Sequence, residues 1–401
     1  MSFTLTRDKL MTDLYVAFED AARHKHKMSY VQKFEKHLHR NLDELCDDLM
    51  SRKYEAQPSK CFVIDYPKKR EVFAAMFRDR VVHHLYFNYA HDIFERAFIA
   101  DTYSCIKGRG THYGIERLRQ HIRQESQNWQ LPCYAMNIDI RGYFMHINRK
   151  RLLNISTDTL LEMASHKVSC HYHERWCDLR DIDFLLWLTE QIVMLDPKVS
   201  CDVVGDYTNW VGLDRNKSLF FTPEDCGLPI GNLTSQLFSN VYLNVFDQFM
   251  KRELKCKHYG RYVDDAFLVS RDKKWMLSLI PDIRSFLSEQ LGLDLHMGKL
   301  HIRDIRHGVE FLGAFVKPYR TYASNKTIQR MNGKIQELDV RNTDKVLHSV
   351  NSFLGVLGHS ASYNIRREMF LNGRFDNTLE FDRDILSAKP MKAFAFHEVN
   401  P

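Results

Sequence analysis

The chain has 401 residues, 44% of them apolar, and a formal net charge of +6, so it can form two or three packed units without disulfides or a structural metal. Its nine cysteines are an odd number with none spaced as Cys-x-x-Cys, which argues against a disulfide framework and against a zinc ribbon. No apolar run is long enough for a signal peptide or a membrane span, and we therefore expect a cytoplasmic protein with no membrane partner.

The first part of the chain combines helical patterns with a basic segment. Apolar residues recur at helical spacing and predict a helical lead-in over residues 1–58. In the following segment, residues 59–133, twelve Lys and Arg stand against seven Asp and Glu between Lys60 and Arg123. Such an excess suits a phosphate backbone, although a solvated helix face would explain it equally well. A further helical pattern runs over Arg78–Ala97.

Residues 134–320 alternate strands and helices in an order that predicts an α+β layer, with helices on one face of an antiparallel sheet. A polar, irregular stretch toward the end of residues 165–226 predicts an insertion there. The predicted elements are a strand at Ala135–Ile140, helices at Asp181–Leu195, Phe238–Phe249 and Lys274–Leu291, a hairpin at Tyr259–Ser270, and strands at Leu295–Ile302 and Val309–Val316. Residues 321–401 follow and are predicted to be helical from Asn325 to about Gly373.

The hairpin carries two adjacent aspartates at its turn. Asp264 and Asp265 stand between two short runs of strand-forming residues, Tyr262–Val263 and Phe267–Val269. Like charges held side by side repel, and the commonest way to make that arrangement favourable is a bound cation. An aromatic-x-Asp-Asp sequence alone is too common to establish a site, so its context must decide.

A third carboxylate, Asp139, closes the strand at Ala135–Ile140. If the fold sets that strand beside the hairpin, Asp139 meets Asp264 and Asp265 in a cluster of oxygen ligands that suits Mg²⁺. Two Mg²⁺ ions about 3.5–4 Å apart activate an attacking 3′-hydroxyl and stabilise a leaving pyrophosphate. The cluster therefore predicts nucleotidyl transfer, while the alternative for Asp139 is an ordinary turn residue at a strand end.

Several runs in one order resemble the motifs of reverse transcriptases. The run at 136–144 (Met-Asn-Ile-Asp-Ile-Arg-Gly-Tyr-Phe), the run at 227–236 (Gly-Leu-Pro-Ile-Gly-Asn-Leu-Thr-Ser-Gln) and Tyr262–Asp265 are similar to motifs A, B and C. Residues 104–111 look like the fingers motif of group II intron-like bacterial enzymes, and Gly298–Leu300 and Val309–Gly313 look like motifs D and E. The resemblance implies a right-hand polymerase with fingers at 59–133, a palm at 134–320, and a thumb and tail at 321–401.

The resemblance also implies roles for individual residues. Phe144 would form the wall beneath the sugar of the incoming nucleotide, with a place in the core as the alternative, and Arg70 is our first choice for gripping the triphosphate. Lys299 matches the motif D lysine beside the leaving pyrophosphate, with a purely solubilising role as the alternative. The implied residues are Asp139, Asp264, Asp265 and Lys299 for catalysis; the same aspartates with Ile140 for two Mg²⁺; Lys69, Arg70, Arg78, Phe144, Ile230 and Gly231 for dNTPs; and Arg109, Ser235, Gln236 and Tyr262 for nucleic acid.

Motif B is similar to the form found in diversity-generating retroelements. Most reverse transcriptases have Gln-Gly where this chain has Ile230 and Gly231, and the upstream pair Trp210 and Lys217–Phe220 also looks like that family. Loss of the glutamine removes a polar contact beside the templating base pair. The resemblance implies error-prone copying opposite template adenines, an RNA template in an RNA/DNA duplex, and a small, basic, oligomeric accessory protein in a bacterial or phage-encoded system.

Two other functions remain open at this point. The first is a defence-associated reverse transcriptase that makes cDNA accurately, and the second is a catalytically silent RNA-binding scaffold. A zinc site is not expected, because the spacing of Cys170, His171, His173 and Cys177 fits no common tetrahedral pattern.

Overall fold

The computed structural model describes residues 5–66, 68–165 and 181–391, with the side chains of 163–165 excepted. The four residues considered for zinc, at 170–177, lie outside these ranges. The seven cysteines within them are all free, in agreement with the expected absence of disulfides there. No helix in the described ranges has both the length and the apolar character needed to cross a membrane.

Helices form most of the fold, and several begin where the sequence supplies a capping oxygen. Thr6, Asp181, Ser324 and Asn342 each accept a hydrogen bond from a backbone N–H in the first turn of the following helix. The helices are α1 (Arg7–Ala22), α2 (Ser29–Glu35), α3 (Leu38–Met50), α4 (Phe77–Ala97), α5 (Thr111–Glu125), α6 (Tyr143–His146), α7 (Arg149–Ser165), α8 (Ile182–Met194), α9 (Leu233–Gln248), α10 (Lys273–Ser278), α11 (Ile280–Leu291), α12 (Asn325–Gln336), α13 (Thr343–Leu357) and α14 (Tyr363–Phe370).

The strands form small sheets that are mainly antiparallel. In the described ranges the sheet orders are β2-β1-β4, β5-β6-β3-β7, β10-β9-β8 and β11-β12. The strands are β1 (Ser59–Ile64), β2 (Arg70–Ala74), β3 (Tyr134–Ile138), β4 (Cys201–Val203), β5 (Tyr259–Tyr262), β6 (Asp265–Ser270), β7 (His301–Asp304), β8 (Val309–Phe311), β9 (Ala314–Lys317), β10 (Arg320–Ala323), β11 (Leu379–Phe381) and β12 (Ala388–Pro390). The predicted α+β class is confirmed.

The chain divides into two compact units. Unit 1 comprises Met1–Gly110, Ile138–Ala266 and Leu277–Leu300, and unit 2 comprises Thr111–Asn137, Phe267–Met276 and His301–Pro401. Every residue that the sequence nominated for the site belongs to unit 1.

In unit 1, the predicted helical lead-in packs on α4. Leu10, Leu14 and Phe18 are buried along one face of α1, as their spacing predicts. The Tyr89 hydroxyl of α4 donates to the buried Asp13 carboxylate at 2.7 Å. The hairpin β1–β2, which the sequence analysis did not identify, pairs Phe62 with Val72, and β4 from the insertion adds to β1 in parallel.

Unit 2 contains a second core. In it α12, α13 and α14 pack around buried residues that include Met331, Val350, Leu354 and Phe370. The predicted helical pattern after Asn325 is therefore confirmed, although it consists of separate helices with a small β11–β12 hairpin beyond them.

Other predicted elements differ in detail. The single helix expected at Lys274–Leu291 is two helices, because Pro281 stands in the first turn of α11 and cannot continue a preceding helix. The strand expected at Leu295–Ile302 is wrong over most of its length, since Met297–Lys299 form a 3-10 turn and β7 begins only at His301. In its described part, residues 181–226, the insertion holds α8, β4 and three short 3-10 turns.

Candidate active site

The Asp264 and Asp265 turn joins β5 to β6, as predicted. Val263, the residue before the two aspartates, has a backbone φ of +55°. This left-handed conformation is rare for a β-branched side chain and marks a strained turn. Asp264 is half-buried and Asp265 is exposed.

Asp139 stands just beyond β3, where backbone hydrogen bonds fix its position on both sides. Its carbonyl accepts from the His296 N–H at 2.8 Å, and the next residue but one, Arg141, donates its N–H to the Asp294 carbonyl at 2.9 Å. These two hydrogen bonds lie on either side of an isolated antiparallel β-bridge between Ile140 and Leu295. The backbone of Ile140 makes neither of the two bonds.

The Asp139 carboxylate, 15% exposed, is paired with Lys299. The Lys299 ammonium donates to Oδ1 at 3.0 Å and to Oδ2 at 2.9 Å. The lysine of the run that resembles motif D therefore contacts the aspartate of the run that resembles motif A directly. By contrast, within the ranges that the structure describes, Asp264 and Asp265 have no cationic partner at ion-pair distance.

The electrostatics of the site indicate that the three carboxylates share one place. Burial, followed by repulsion from Asp139, raises the pKa of Asp264. Although part of the Asp265 residue is open to solvent, desolvation of its carboxylate, then repulsion from Asp264 and Asp139, raises its pKa to about 7, while Lys299 opposes the shift. Because neighbouring anions disfavour each other's ionised forms, this arrangement suits a bound multivalent cation. An all-oxygen, carboxylate-rich donor set of this kind fits Mg²⁺.

Phe144 lies close to this cluster in the chain and is half-buried. It sits on the short helix α6, packs edge-on against Tyr143 with ring centroids 5.5 Å apart, and contacts a core cluster that contains Phe73 and Leu219. The Tyr143 hydroxyl donates to the Ser239 carbonyl of α9 at 2.6 Å, which anchors α6. Phe144 thus has both an apolar support and an accessible portion, so core packing and the predicted wall are compatible.

The motif B loop is joined to β2 of the fingers segment. The Phe73 N–H donates to the Ile230 carbonyl at 2.9 Å, and the Ile230 side chain packs on the same cluster as Phe144. Gly231 has a φ of +127°, and a Cβ there would lie 2.9 Å from Cγ1 of Val72. A side chain at Gly231 would therefore clash with β2.

The structure separates the three basic residues proposed for the triphosphate. Arg70 is exposed at the start of β2 and is near enough to lower the pKa of Asp264 against the effect of burial. Lys69 instead donates to the Val211 carbonyl at 2.7 Å, and Arg78 pairs with Asp48. Arg78 also donates to the Glu55 carbonyl at 3.2 Å, so its guanidinium is committed to the helical lead-in. Arg70 therefore remains the candidate for binding the triphosphate.

The residues predicted to bind nucleic acid are also unequal. Arg109 donates to the carbonyls of Ala100 and Thr102 and so braces its own loop. Ser235 is buried in α9, whereas Gln236 is exposed and Tyr262 is half-buried. Arg109 is half-buried like Tyr262, but its guanidinium is bound to its own loop, so Gln236 and Tyr262 are the better candidates for contacts to nucleic acid.

Sequence reasoning missed Glu71, which is 1% exposed and organises the insertion. Its carboxylate accepts from the Trp210 indole N–H at 2.7 Å, from the Ser218 hydroxyl at 2.8 Å and from the Leu219 N–H at 2.6 Å. The signal was present in part, because Trp210 and Ser218 belong to the runs that resemble retroelement enzymes. Those residues now have a physical role: they fasten the insertion to β2 next to Arg70.

A second group of possible metal ligands occurs on α4, where His91, Asp92 and Glu95 approach one another. The His91 ring is held by the Cys105 carbonyl at 2.9 Å and by Asp92 at 3.1 Å. Burial lowers the pKa of His91, but these hydrogen bonds and the nearby carboxylates outweigh it and raise the pKa overall. Both ring nitrogens therefore have hydrogen-bond partners, which favour the protonated form of the ring over a metal-ligating form.

Comparisons with known proteins give a family. A family model described as reverse transcriptase (RNA-dependent DNA polymerase) matches residues 68–316. The protein YkfC of Escherichia coli (strain K12) is 24% identical over 306 residues, which are 68% of this chain and 70% of that protein.

Among solved structures, telomerase from Candida albicans in complex with the TWJ fragment of telomeric RNA is 13% identical, with a TM-score of 0.45, over 75% of this chain and 53% of that chain. Apo telomerase from Candida tropicalis is 9% identical, with a TM-score of 0.46, over 82% and 64% of the two chains. The chain therefore spans less than two thirds of these telomerase chains.

Proposed function

The chain belongs to the reverse transcriptase (RNA-dependent DNA polymerase) family, whose right-hand polymerase fold the sequence predicted, and we propose that it copies RNA into DNA at the Asp139, Asp264 and Asp265 cluster. The observation that carries the proposal is the convergence of these carboxylates: Lys299 pairs with Asp139, and the Asp139 charge contributes to the raised pKa of Asp264 and of Asp265. Bound there, two Mg²⁺ ions would activate the primer 3′-hydroxyl and stabilise the leaving pyrophosphate.

The chain's own residues then have distinct tasks. Asp139, Asp264 and Asp265 would hold the ions, with the Ile140 carbonyl as a further oxygen ligand. Lys299, which donates to both oxygens of Asp139, would exchange that contact for the developing charge on the pyrophosphate and supply its proton.

Substrate positioning would come from residues on either side of the cluster. Arg70, exposed and free of ion pairs within the described ranges, would bind the triphosphate of the incoming dNTP. Phe144 would lie under the sugar, where a ring excludes a 2′-hydroxyl by collision and so selects deoxynucleotides. Gln236 and Tyr262 are the proposed contacts to template and primer.

We further propose that the copying is error-prone opposite adenine and diversifies a target gene. The support is motif B: the Ile230 side chain packs on an apolar cluster and offers no hydrogen bond to the templating pair. A template RNA and a small, basic, oligomeric accessory protein are the expected partners, and these too are proposals from the resemblance.

The test is primer extension on an RNA template of mixed sequence, with Mg²⁺ and dNTPs, followed by sequencing of the products. We expect wild-type products with substitutions concentrated opposite adenine, and no products from the double variant Asp264→Ala, Asp265→Ala. Ile230→Gln should lower the error rate at adenine, while Ile230→Leu, which keeps the apolar volume, should leave the error spectrum unchanged.

Other outcomes point elsewhere. Accurate wild-type products would retain the polymerase and contradict the mutagenic role in favour of a defence enzyme. Wild-type protein that binds RNA but extends no primer, with accessory protein and cognate RNA present, would contradict the polymerase proposal and favour the scaffold.

A further inference from the structure

A buried ion pair lies directly beneath the catalytic turn. Arg261 of β5 and Asp247 of α9 are 1% and 0% exposed, and Arg261 donates from Nε at 2.7 Å and from Nη2 at 2.6 Å to the two oxygens of Asp247. The Tyr259 hydroxyl donates to the same carboxylate at 2.7 Å and the Thr102 hydroxyl at 3.2 Å. Both charges are therefore fully paired in the interior.

Arg261 also reaches the turn itself. Its Nη1 donates to the Val263 carbonyl at 2.7 Å, and the Val263 N–H donates to the Ser104 hydroxyl at 3.2 Å. Both backbone groups of the strained residue before the aspartates are thus held from inside the protein. A β-branched residue at φ +55° persists only when its surroundings impose that conformation. These two hydrogen bonds therefore hold Val263 in its left-handed conformation.

The two hydrogen bonds that hold Val263, one from Arg261 and one to Ser104, together with the Arg261–Asp247 ion pair, form what we call the clamp, and it is anchored on helix α9. The Ser104 hydroxyl donates to the Asn240 side-chain oxygen at 2.8 Å, and the Asn240 amide returns a hydrogen bond to the Ser104 carbonyl at 2.7 Å. Asn240 and Asp247 both belong to α9, which is buried over most of its length. The loop before Gly110, the motif B helix and the turn therefore share one connected set of buried polar contacts.

We propose that Asp247, Arg261 and Ser104 are positioning residues that hold Val263 in its left-handed conformation and thereby fix the spacing of Asp264 and Asp265 for metal binding. This inference rests on the proposed catalytic role of those two carboxylates. A purely structural role for the ion pair is the alternative, and it has a different consequence, because replacing a buried pair by apolar residues of similar volume is often neutral for stability.

The central experiment uses the double variant Asp247→Leu, Arg261→Met, which removes the clamp without leaving an unpaired buried charge. The matched control is Arg149→Met, Asp196→Leu, which removes another largely buried ion pair of unit 1, with N and O 2.9 Å apart, that makes no contact with the turn. For each protein we would measure the melting temperature, kcat and KM for dNTP, and the Mg²⁺ concentration at half-maximal rate.

We expect the clamp variant to melt cooperatively near the temperature of the control. Its kcat should fall on the order of 10- to 100-fold, because carboxylates displaced by even about 1 Å no longer hold the ions in register. KM for dNTP should change by no more than about threefold, and half-maximal rate should require more Mg²⁺. Equal kcat and Mg²⁺ dependence in clamp variant and control would overturn the proposal.

Two single variants keep the proposal testable if the double variant does not fold. Ser104→Ala removes the acceptor of the Val263 N–H and the hydroxyl donor to Asn240 while it leaves the ion pair intact, and it should reduce kcat by about 3- to 10-fold at unchanged KM. Arg261→Lys keeps a positive charge beside Asp247, but a single ammonium cannot bind both the Asp247 carboxylate and the Val263 carbonyl as the guanidinium does. Its kcat should therefore lie between those of the wild type and the double variant. Wild-type kcat and Mg²⁺ dependence in Ser104→Ala would reject the positioning role.

Metal binding without nucleotide separates this inference from the polymerase proposal. We would titrate each protein with Mn²⁺ alone and follow free Mn²⁺ by electron paramagnetic resonance, with the Asp264→Ala, Asp265→Ala protein as the reference for a lost site. Weaker Mn²⁺ binding in the clamp variants than in the ion-pair control supports positioning even if wild type makes no DNA. Unchanged binding contradicts it even if wild type is an active polymerase.

Discussion

Replacing Glu71 by alanine should release the insertion from the fingers strand. Glu71 is almost fully buried and accepts hydrogen bonds from Trp210, Ser218 and Leu219, at 2.6 to 2.8 Å. Ser218 and Leu219 are themselves buried, so Glu71→Ala leaves two donors without an acceptor, while the half-buried Trp210 indole can turn to water. At about 1–3 kcal/mol for each of these two unsatisfied buried donors, we expect the local free energy of opening to fall by roughly 2–6 kcal/mol.

The assay is amide hydrogen exchange followed by mass spectrometry. A loss of that size should speed exchange in residues 207–221 by about 30- to 25,000-fold and leave helix α13 in unit 2 unchanged. Since Arg70 is the neighbour of Glu71 on β2, KM for dNTP should rise as well. The control is Glu380→Gln, which removes an exposed ion pair with Lys389 and should cost no more than about 1 kcal/mol.

One result would refute this reasoning. If residues 207–221 exchange at the same rate in Glu71→Ala as in Glu380→Gln, the carboxylate does not hold the insertion. Faster exchange with an unchanged KM for dNTP would keep the anchor and contradict its connection to Arg70.

The remaining predictions concern the site itself. Phe144→Val should admit ribonucleotides and lower the dNTP preference by about 10- to 200-fold in single-nucleotide extension, with Phe144→Tyr as a control that keeps the ring; unchanged preference would mean that Phe144 is only core. Because the native chain keeps the Asp265 proton up to a pKa of about 7 whereas the unfolded chain releases it near 3.8, stability in EDTA should fall as pH rises through that window. Asp265→Asn should make this slope shallower in thermal unfolding from pH 5 to 8, with the contribution of Asp264 left, and an identical slope in both proteins would contradict the assignment. Val263→Gly should relieve strain of about 1–3 kcal/mol yet lower kcat, since the turn loses its preorganisation; a Gly variant with full kcat would show that the strain has no function.

The carboxylates could be found from the sequence because their signal is local. A strand pattern that ends at Asp139 and a hairpin pattern around Asp264 each need only a few neighbouring residues, and motif order supplied the long-range pairing. The same locality explains the predicted helices, whose apolar spacing along α1, α4 and α9 reports burial directly.

The ion-pair and hydrogen-bond partners of individual charged side chains could not be predicted from such local patterns. Lys69, Arg70 and Arg78 look alike in a basic segment, and only the fold shows that Arg78 pairs with Asp48 while Arg70 has no ion pair in the described part of the chain. Glu71 would pass for a surface charge beside Arg70, because its three donors come from an insertion far along the chain. Polar contacts between distant parts of the chain leave no periodic pattern in the sequence from which they could be predicted.

The two polar networks bear on how fidelity can vary while catalysis is retained. The first fastens the insertion to β2, and β2 in turn fixes the motif B loop through the Phe73 N–H and the Ile230 carbonyl. The second fastens the catalytic turn to α9 through Asp247 and Asn240. Because the Ile230 carbonyl accepts this hydrogen bond whatever the side chain, we propose that exchange of the side chain alters the contacts of the templating base pair without moving the turn. We therefore expect Ile230→Gln to change the error spectrum far more than kcat.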